Sequence, residues 1–292
     1  MLESMRLAKY CSVKQGGRLP ANTECEWTLD SGDRCRDDRV EKVAANTIQR
    51  MGSSLAEGIP PKGNITHVIF DMDGLLLDTE QFYTLAQENI LARYGKTFDW
   101  SLKAKMMGKK ALESAHIFVE ETGLSGILTP EQFLEDRKAI LEDLFPTSEL
   151  MPGAKQLICH LHAKGIPICV ATGSDKKYFD LKTTKHRELF SLMHHVVLGD
   201  DPEVKHGKPS PDIFLAAAKR FKDSPTNPLN ILVFEDAPAG VAAAKTAGMS
   251  VVMVPDPRLD VKHQAAADQV LSSLLEFNPS DWGLPPYETV TS

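Results

Sequence analysis

The stretch Val68-Ile69-Phe70-Asp71-Met72-Asp73-Gly74 constrains the fold more than any other part of the chain. Three apolar residues run directly into two carboxylates one residue apart and then a glycine, the pattern of a buried strand that ends abruptly in acid. Two carboxylates held together at a strand end repel each other and lose hydration, so such an end requires a cation or a shared proton. An EF-hand loop fits poorly, because it needs its glycine at the sixth position and an acid at the fifth. Here Gly74 is fourth and Leu75 fifth. The strand context favours a chemical use for Asp71 and Asp73 over an Asp-rich turn.

The chain around this stretch divides by composition. Residues 1–62 are rich in Arg, Asp, Glu, Gly and Ser, hold three of the five cysteines and show no sustained period, so little stable structure is expected there. Their first twenty positions are basic (Arg6, Lys9, Lys14, Arg18), as in an organelle-targeting peptide, but the acids from Glu24 to Asp38 speak against one. A start at Met51, with the preceding segment an extension, is the other reading. The cysteines, odd in number and irregularly spaced, read as free thiols of a reducing compartment, and the cytoplasm is the expected location.

From His67 onward short apolar runs alternate with helical patterns. The runs Val68–Phe70, Ile166–Ala171, His195–Leu198, Ile231–Phe234 and Val251–Val254 predict five strands of an α/β, doubly wound parallel sheet. Between the first two runs, Tyr83, Ala86, Ile90, Leu91 and Tyr94 form a helical stripe, and Thr129-Pro130-Glu131-Gln132 has the N-cap, first-turn proline and capping-box glutamine of a second helix, running to about Phe145. The expected division is a core of 63–78 and 152–278, an inserted helical region of 79–151, and a tail of 279–292.

Ligands of such sheets sit at the carboxyl ends of the strands, so each strand end was read for chemistry. Thr172-Gly173-Ser174-Asp175 is either a plain N-cap or a hydroxyl and N–H cradle for phosphate. Lys208, held between Gly207 and Pro209 before a helix capped by Ser210, is either a solvated charge or a fixed cation facing a phosphoryl group. Glu235-Asp236 could simply favour a helix dipole, yet two acids after an apolar strand also make the oxygen-rich half-shell that Mg2+ prefers. Taken together, the four ends supply a nucleophile, an acid/base, a hydroxyl, a cation and metal ligands.

These four segments, in this order, resemble the motifs of the haloacid dehalogenase-like hydrolase superfamily. The resemblance runs from His67 to about Glu288, and the helical insertion stands where that superfamily carries its C1 cap. It implies that Asp71 attacks phosphorus to form an aspartyl-phosphate and that Asp73 exchanges the proton. It implies also that Thr172, Gly173 and Lys208 hold the phosphoryl oxygens. Mg2+ would be bound by Asp71, the main-chain carbonyl of Asp73 and Asp236, with Glu235 close by or acting through water. In the cap, the Met107-Gly108-Lys109-Lys110 turn is either a basic surface turn or the source of specificity residues Gly108, Lys109 and Lys110.

Within the superfamily, Asp99-Trp100-Ser101-Leu102-Lys103, Phe190-Ser191-Leu192-Met193-His194-His195 and Trp282-Gly283-Leu284-Pro285 are similar to plant glycerol-3-phosphate phosphatases. Animal pseudouridine-5′-phosphate phosphatases are similar over much of the same length. Plant proteins that join such a phosphatase to a riboflavin kinase also resemble it, but the chain stops soon after the phosphatase region, and no kinase is expected. The implied partner is a small phosphorylated metabolite. A net charge of −7 argues against nucleic acid and anionic membrane surfaces. Lys245 interrupts the nearest candidate for a membrane span, around Val241–Val254. Nothing in the sequence sets an oligomeric state. A reading of another class, a catalytically silent sugar-phosphate binder, leaves the intact acid set without a purpose.

Overall fold

The computed structural model describes residues 63–107, 109, 111–223 and 227–288. The expectations for residues 1–62, Gly108 and Lys110 lie outside the described residues. Six parallel strands form one sheet in the order β3-β2-β1-β4-β5-β6. They are β1 (His67–Phe70), β2 (Ile168–Ala171), β3 (His195–Val197), β4 (Ile231–Glu235), β5 (Ser250–Met253) and β6 (Gln269–Val270). The strand order reverses between β1 and β4, which is where a doubly wound sheet opens a crevice at its carboxyl edge. In register, Phe70 faces Val170 on one side and Phe234 on the other. The residues that follow, Asp71, Ala171 and Glu235, therefore emerge side by side, with Thr172 one residue beyond.

Two of the strand expectations need correction. β2 begins at Ile168 rather than Ile166, because Pro167 has no N–H for the ladder and its carbonyl instead accepts from Val68 N at 3.0 Å. β6 is a sixth strand that the sequence did not announce, since two residues carry no readable period.

Between β1 and β2 lie α1 (Glu80–Ala92), α2 (Trp100–Met106), α3 (Ala111–Glu121) and α4 (Pro130–Leu144), followed by α5 (Ala154–Ala163). The predicted capping box closes α4: Gln132 N donates to Thr129 Oγ1, and Thr129 N donates to Gln132 Oε1. These helices hold their own apolar core of Ile90, Leu102, Phe118 and Phe133, with the last two rings stacked 3.9 Å apart. After β2 come α6 (Lys176–Lys182) and α7 (Arg187–Phe190), then α8 (Asp212–Arg220) and α9 (Pro238–Thr246).

Alternation along β1 splits the main core in two. Val68 and Phe70 face Leu157, Leu161 and Phe277, while Ile69 faces Phe214, Val233 and Val241. Ser210 does not cap α8 as expected. Pro211 occupies that position without a side-chain bond, and the Ser210 hydroxyl donates to Asp212, whose other oxygen takes up the N–H groups of Lys205 and His206. The segment after 279 is no loose tail either: Trp282 and Leu284 are buried in the core, and the indole donates to Gln269 at 2.7 Å. Among the described residues, no helix is long and apolar enough to cross a membrane.

Candidate active site

Asp71 is fixed by its own main chain, whose N–H donates to Phe234 O on β4 at 3.0 Å. Its side chain accepts from Lys208 Nζ at 2.5 Å, and the same ammonium donates to Glu235 Oε1 at 2.5 Å. The other oxygen of Glu235 accepts from the N–H groups of Asp236 and Ala237, both at 3.1 Å, at the start of α9. Asp71, Glu235 and Asp236 are buried and bring carboxylate oxygens within 4.8 Å of one another. Two glycines make this crowding possible. Gly74 has φ 76°, and a Cβ there would lie 2.3 Å from Asp236 Oδ2; a Cβ on Gly240 would lie 1.8 Å from Glu235 Oε1.

Three buried carboxylates stand against one ammonium. Burial, then the neighbouring acids, push Asp71 up to about 8 against the pull of Lys208, and push Asp236 well above the carboxylate range. Burial disfavours the charge of Lys208, but Asp71 and Glu235 outweigh it and hold the ammonium firmly protonated. The shortfall is a divalent positive charge, in a shell of hard oxygen donors that fits Mg2+.

Asp73 lives in a different environment. Its Oδ1 accepts from Lys182 Nζ and from the Thr79 hydroxyl, both at 2.5 Å. Its Oδ2 accepts from Ser174 Oγ at 2.9 Å and Thr172 Oγ1 at 3.3 Å. Burial would raise its pKa, but the Lys182 charge and these hydrogen bonds outweigh burial and hold it below the usual value. The side chain of Asp73 is thus engaged away from the three converging acids.

Lys182 carries no signal at a strand end, and motif reading missed it. It is fully buried and uses all three of its N–H donors, on Asp73, Tyr83 Oη (2.8 Å) and Ser174 Oγ (2.8 Å). Its ammonium also sits 4.4 Å from the Phe145 ring centroid. The available signal was a lysine four residues after Tyr178 on the inner side of α6. Asp175 caps that helix through Tyr178 N, and Thr172 Oγ1 accepts from Ser174 N, so both the cap and the hydroxyl readings of this loop describe part of it.

A cavity of about 280 Å³ opens over these groups. Asp71, Asp73, Lys208, Glu235, Asp236 and Gly173 form its floor, and Tyr83, Gln87 and Arg137 from the inserted helices form its roof. Lys109 also reaches the cavity and is ion-paired to Glu113 at 2.5 Å.

Residues 65–248 match the haloacid dehalogenase-like hydrolase family. The chain belongs to that family. Among its relatives, this hydrolase is 70% identical over 227 residues to (DL)-glycerol-3-phosphatase 2 of Arabidopsis thaliana, covering 78% of this chain and 95% of that protein. It is 50% identical over 224 residues to a Drosophila melanogaster protein named "Probable pseudouridine-5'-phosphatase", covering 76% and 96%. The fold is shared with a β-phosphoglucomutase of Clostridium difficile, at TM-score 0.61 and 22% identity, over 73% of this chain and 93% of that one.

Proposed function

We propose that this hydrolase releases inorganic phosphate from glycerol 3-phosphate with Mg2+ as cofactor. The supporting observation is the floor of the cavity, a nucleophilic carboxylate bonded to a buried lysine and ringed by two further acids, in a chain 70% identical to a protein named for that reaction. The small cavity agrees with a small substrate, lying just under the roughly 300 Å³ at which sites for larger ligands begin.

In this reading an Asp71 carboxylate oxygen attacks phosphorus, forming one O–P bond of an acyl phosphate as the bond from phosphorus to glycerol O3 breaks. Lys208 holds Asp71 and meets the phosphoryl oxygens, together with the Thr172 hydroxyl and Gly173. Asp73 gives a proton to the departing alkoxide and takes one from the water that hydrolyses the intermediate. The ion pair with Lys182 keeps Asp73 as the carboxylate required for the second step. Repulsion from an arriving phosphate favours its protonated form for the first. A divalent ion would be held by Asp71, Asp236 and the carbonyl of Asp73, with Glu235 beside it, and would supply charge stabilisation to the transferring group.

Phosphate release from a panel of phosphomonoesters with Mg2+, beside Asp71→Asn, tests this reading. The highest kcat/KM is expected on glycerol 3-phosphate, with the variant silent. A preference for pseudouridine 5′-phosphate, which the Drosophila relative's name keeps as the second reading, would replace the substrate, and equal release by Asp71→Asn would remove the mechanism. The cytoplasm is the proposed location, with an organelle as the alternative if the basic first residues direct import; a fluorescent fusion of the whole chain decides.

A further inference from the structure

Arg137 lies on α4 in a buried stripe with Phe133 and Leu141, and only 6% of it is exposed. Its guanidinium is held between aromatic faces, 5.1 Å from the Phe133 centroid and 5.4 Å from that of Tyr83. Among the described residues its neighbours are these ring faces, with the charge of Glu80 near enough to act on it, and no hydrogen bond holds it. A buried guanidinium whose donors are unused is costly, and it is retained where something else supplies the acceptors. Gln87, on α1, is 4% exposed, and its Oε1 has no donor. Both side chains line the cavity above Asp71 and Lys208.

We infer that Arg137 and Gln87 recognise the hydroxyl groups of the substrate's alcohol portion. This rests on the proposed function and extends it to the half of the substrate that the floor does not touch. A hydroxyl both accepts and donates, so one vicinal pair satisfies the guanidinium and, once the Gln87 amide turns its sealed Oε1 to the cavity, that oxygen as well. A second anion would satisfy only Arg137 and would leave Gln87 Oε1 unpaired; Glu80 in the same cavity is already paired to Lys103. The stacked rings keep the guanidinium in one plane, so it meets the ligand without losing further side-chain freedom. The pair is also close to the chemistry: Tyr83, under Arg137, accepts from Lys182, which holds Asp73.

The test compares glycerol 3-phosphate with propyl phosphate, the same carbon chain without hydroxyl groups, using the full chain with Mg2+. The readout is the ratio of their kcat/KM values. In Gln87→Leu the ratio is expected to fall about 2- to 10-fold, and in Arg137→Met about 10- to 100-fold, the losses for a neutral and a charge-assisted hydrogen bond. The fall should lie in KM for glycerol 3-phosphate more than in kcat. Arg137→Lys, which keeps the charge and loses the planar fork, should recover part of it and carries the test if Arg137→Met does not fold. A ratio unchanged in all three variants, with both esters losing activity together, assigns the residues to packing and overturns the inference. If the wild-type protein instead prefers pseudouridine 5′-phosphate, the glycerol reading fails separately. The inference then stands if the variants lower the preference for that ester over propyl phosphate, and falls if they leave it intact.

Discussion

On the floor of the cavity the buried charges other than Asp236 have fixed partners: Lys208 bridges Asp71 and Glu235, Glu235 is tied to two N–H groups, and Asp73 takes four hydrogen bonds. On the roof, Arg137 and Gln87 are as deeply buried, but among the described residues Gln87 Oε1 has no donor and Arg137 meets ring faces in place of acceptors. The floor is assembled before any ligand arrives, as electrostatic stabilisation of a transferring phosphoryl group demands. The roof is left incomplete, and the proposed recognition of the substrate's alcohol portion lies there. Chemistry and choice are thus separated onto two layers, joined through Tyr83 and Lys182.

The largest expected effect breaks the floor alone. Asp71→Asn should lower turnover by at least about 10⁴-fold, because removing the proposed nucleophile removes the covalent route, and single-turnover phosphate release measures it. Phe118→Ala strikes the roof alone: loss of a fully buried ring stacked on Phe133 should cost about 3–5 kcal/mol in urea unfolding. If that variant keeps full stability, the inserted helices do not depend on their own core. Lys182→Met cuts the link between the layers. It should lower kcat about 10²-fold with KM nearly unchanged, with Lys182→Arg partly active, and a loss confined to KM would assign Lys182 to binding.

The smallest effect is a pH dependence below the floor. His195 sits between β3 and α8, where burial lowers its pKa to about 4, against the rise from its bond to Ala217 O. The unfolded chain, with a histidine near 6.5, binds more protons between these values, so stability should fall as pH drops from about 6.5 to 4. His195→Gln should flatten that limb in thermal unfolding, leaving the contribution of His67, whose pKa burial also lowers. An unchanged limb would mean that other groups set the acid stability.

The floor was legible because its residues are contiguous with the strands that present them. An apolar run followed by acid, as at Phe70-Asp71 or Phe234-Glu235, puts the fold signal and the chemical signal in one window. The α4 capping box was legible for the same reason. Lys182, Arg137 and Gln87 were not, because each is a single polar residue in a helical stripe, and such a residue reads as solvated until the packing partner of the stripe is known. Arg137, spaced four residues from both Phe133 and Leu141, was the one that the period could have exposed. Trp282 reads from the sequence as part of a tail because its partner, Gln269, belongs to a strand too short to read.

Gly240 lies within α9, where helix propensity favours alanine by about 1 kcal/mol. A methyl group there would occupy the space of the Glu235 carboxylate, which anchors the second bond of Lys208. Selection for a more stable helix and selection for a working hydrolase therefore pull in opposite directions at this position. Helix propensity alone would recommend the substitution, and the overlap with a buried, ion-paired carboxylate rejects it, though no charge changes and the position is 169 residues from Asp71 in the chain (240 − 71).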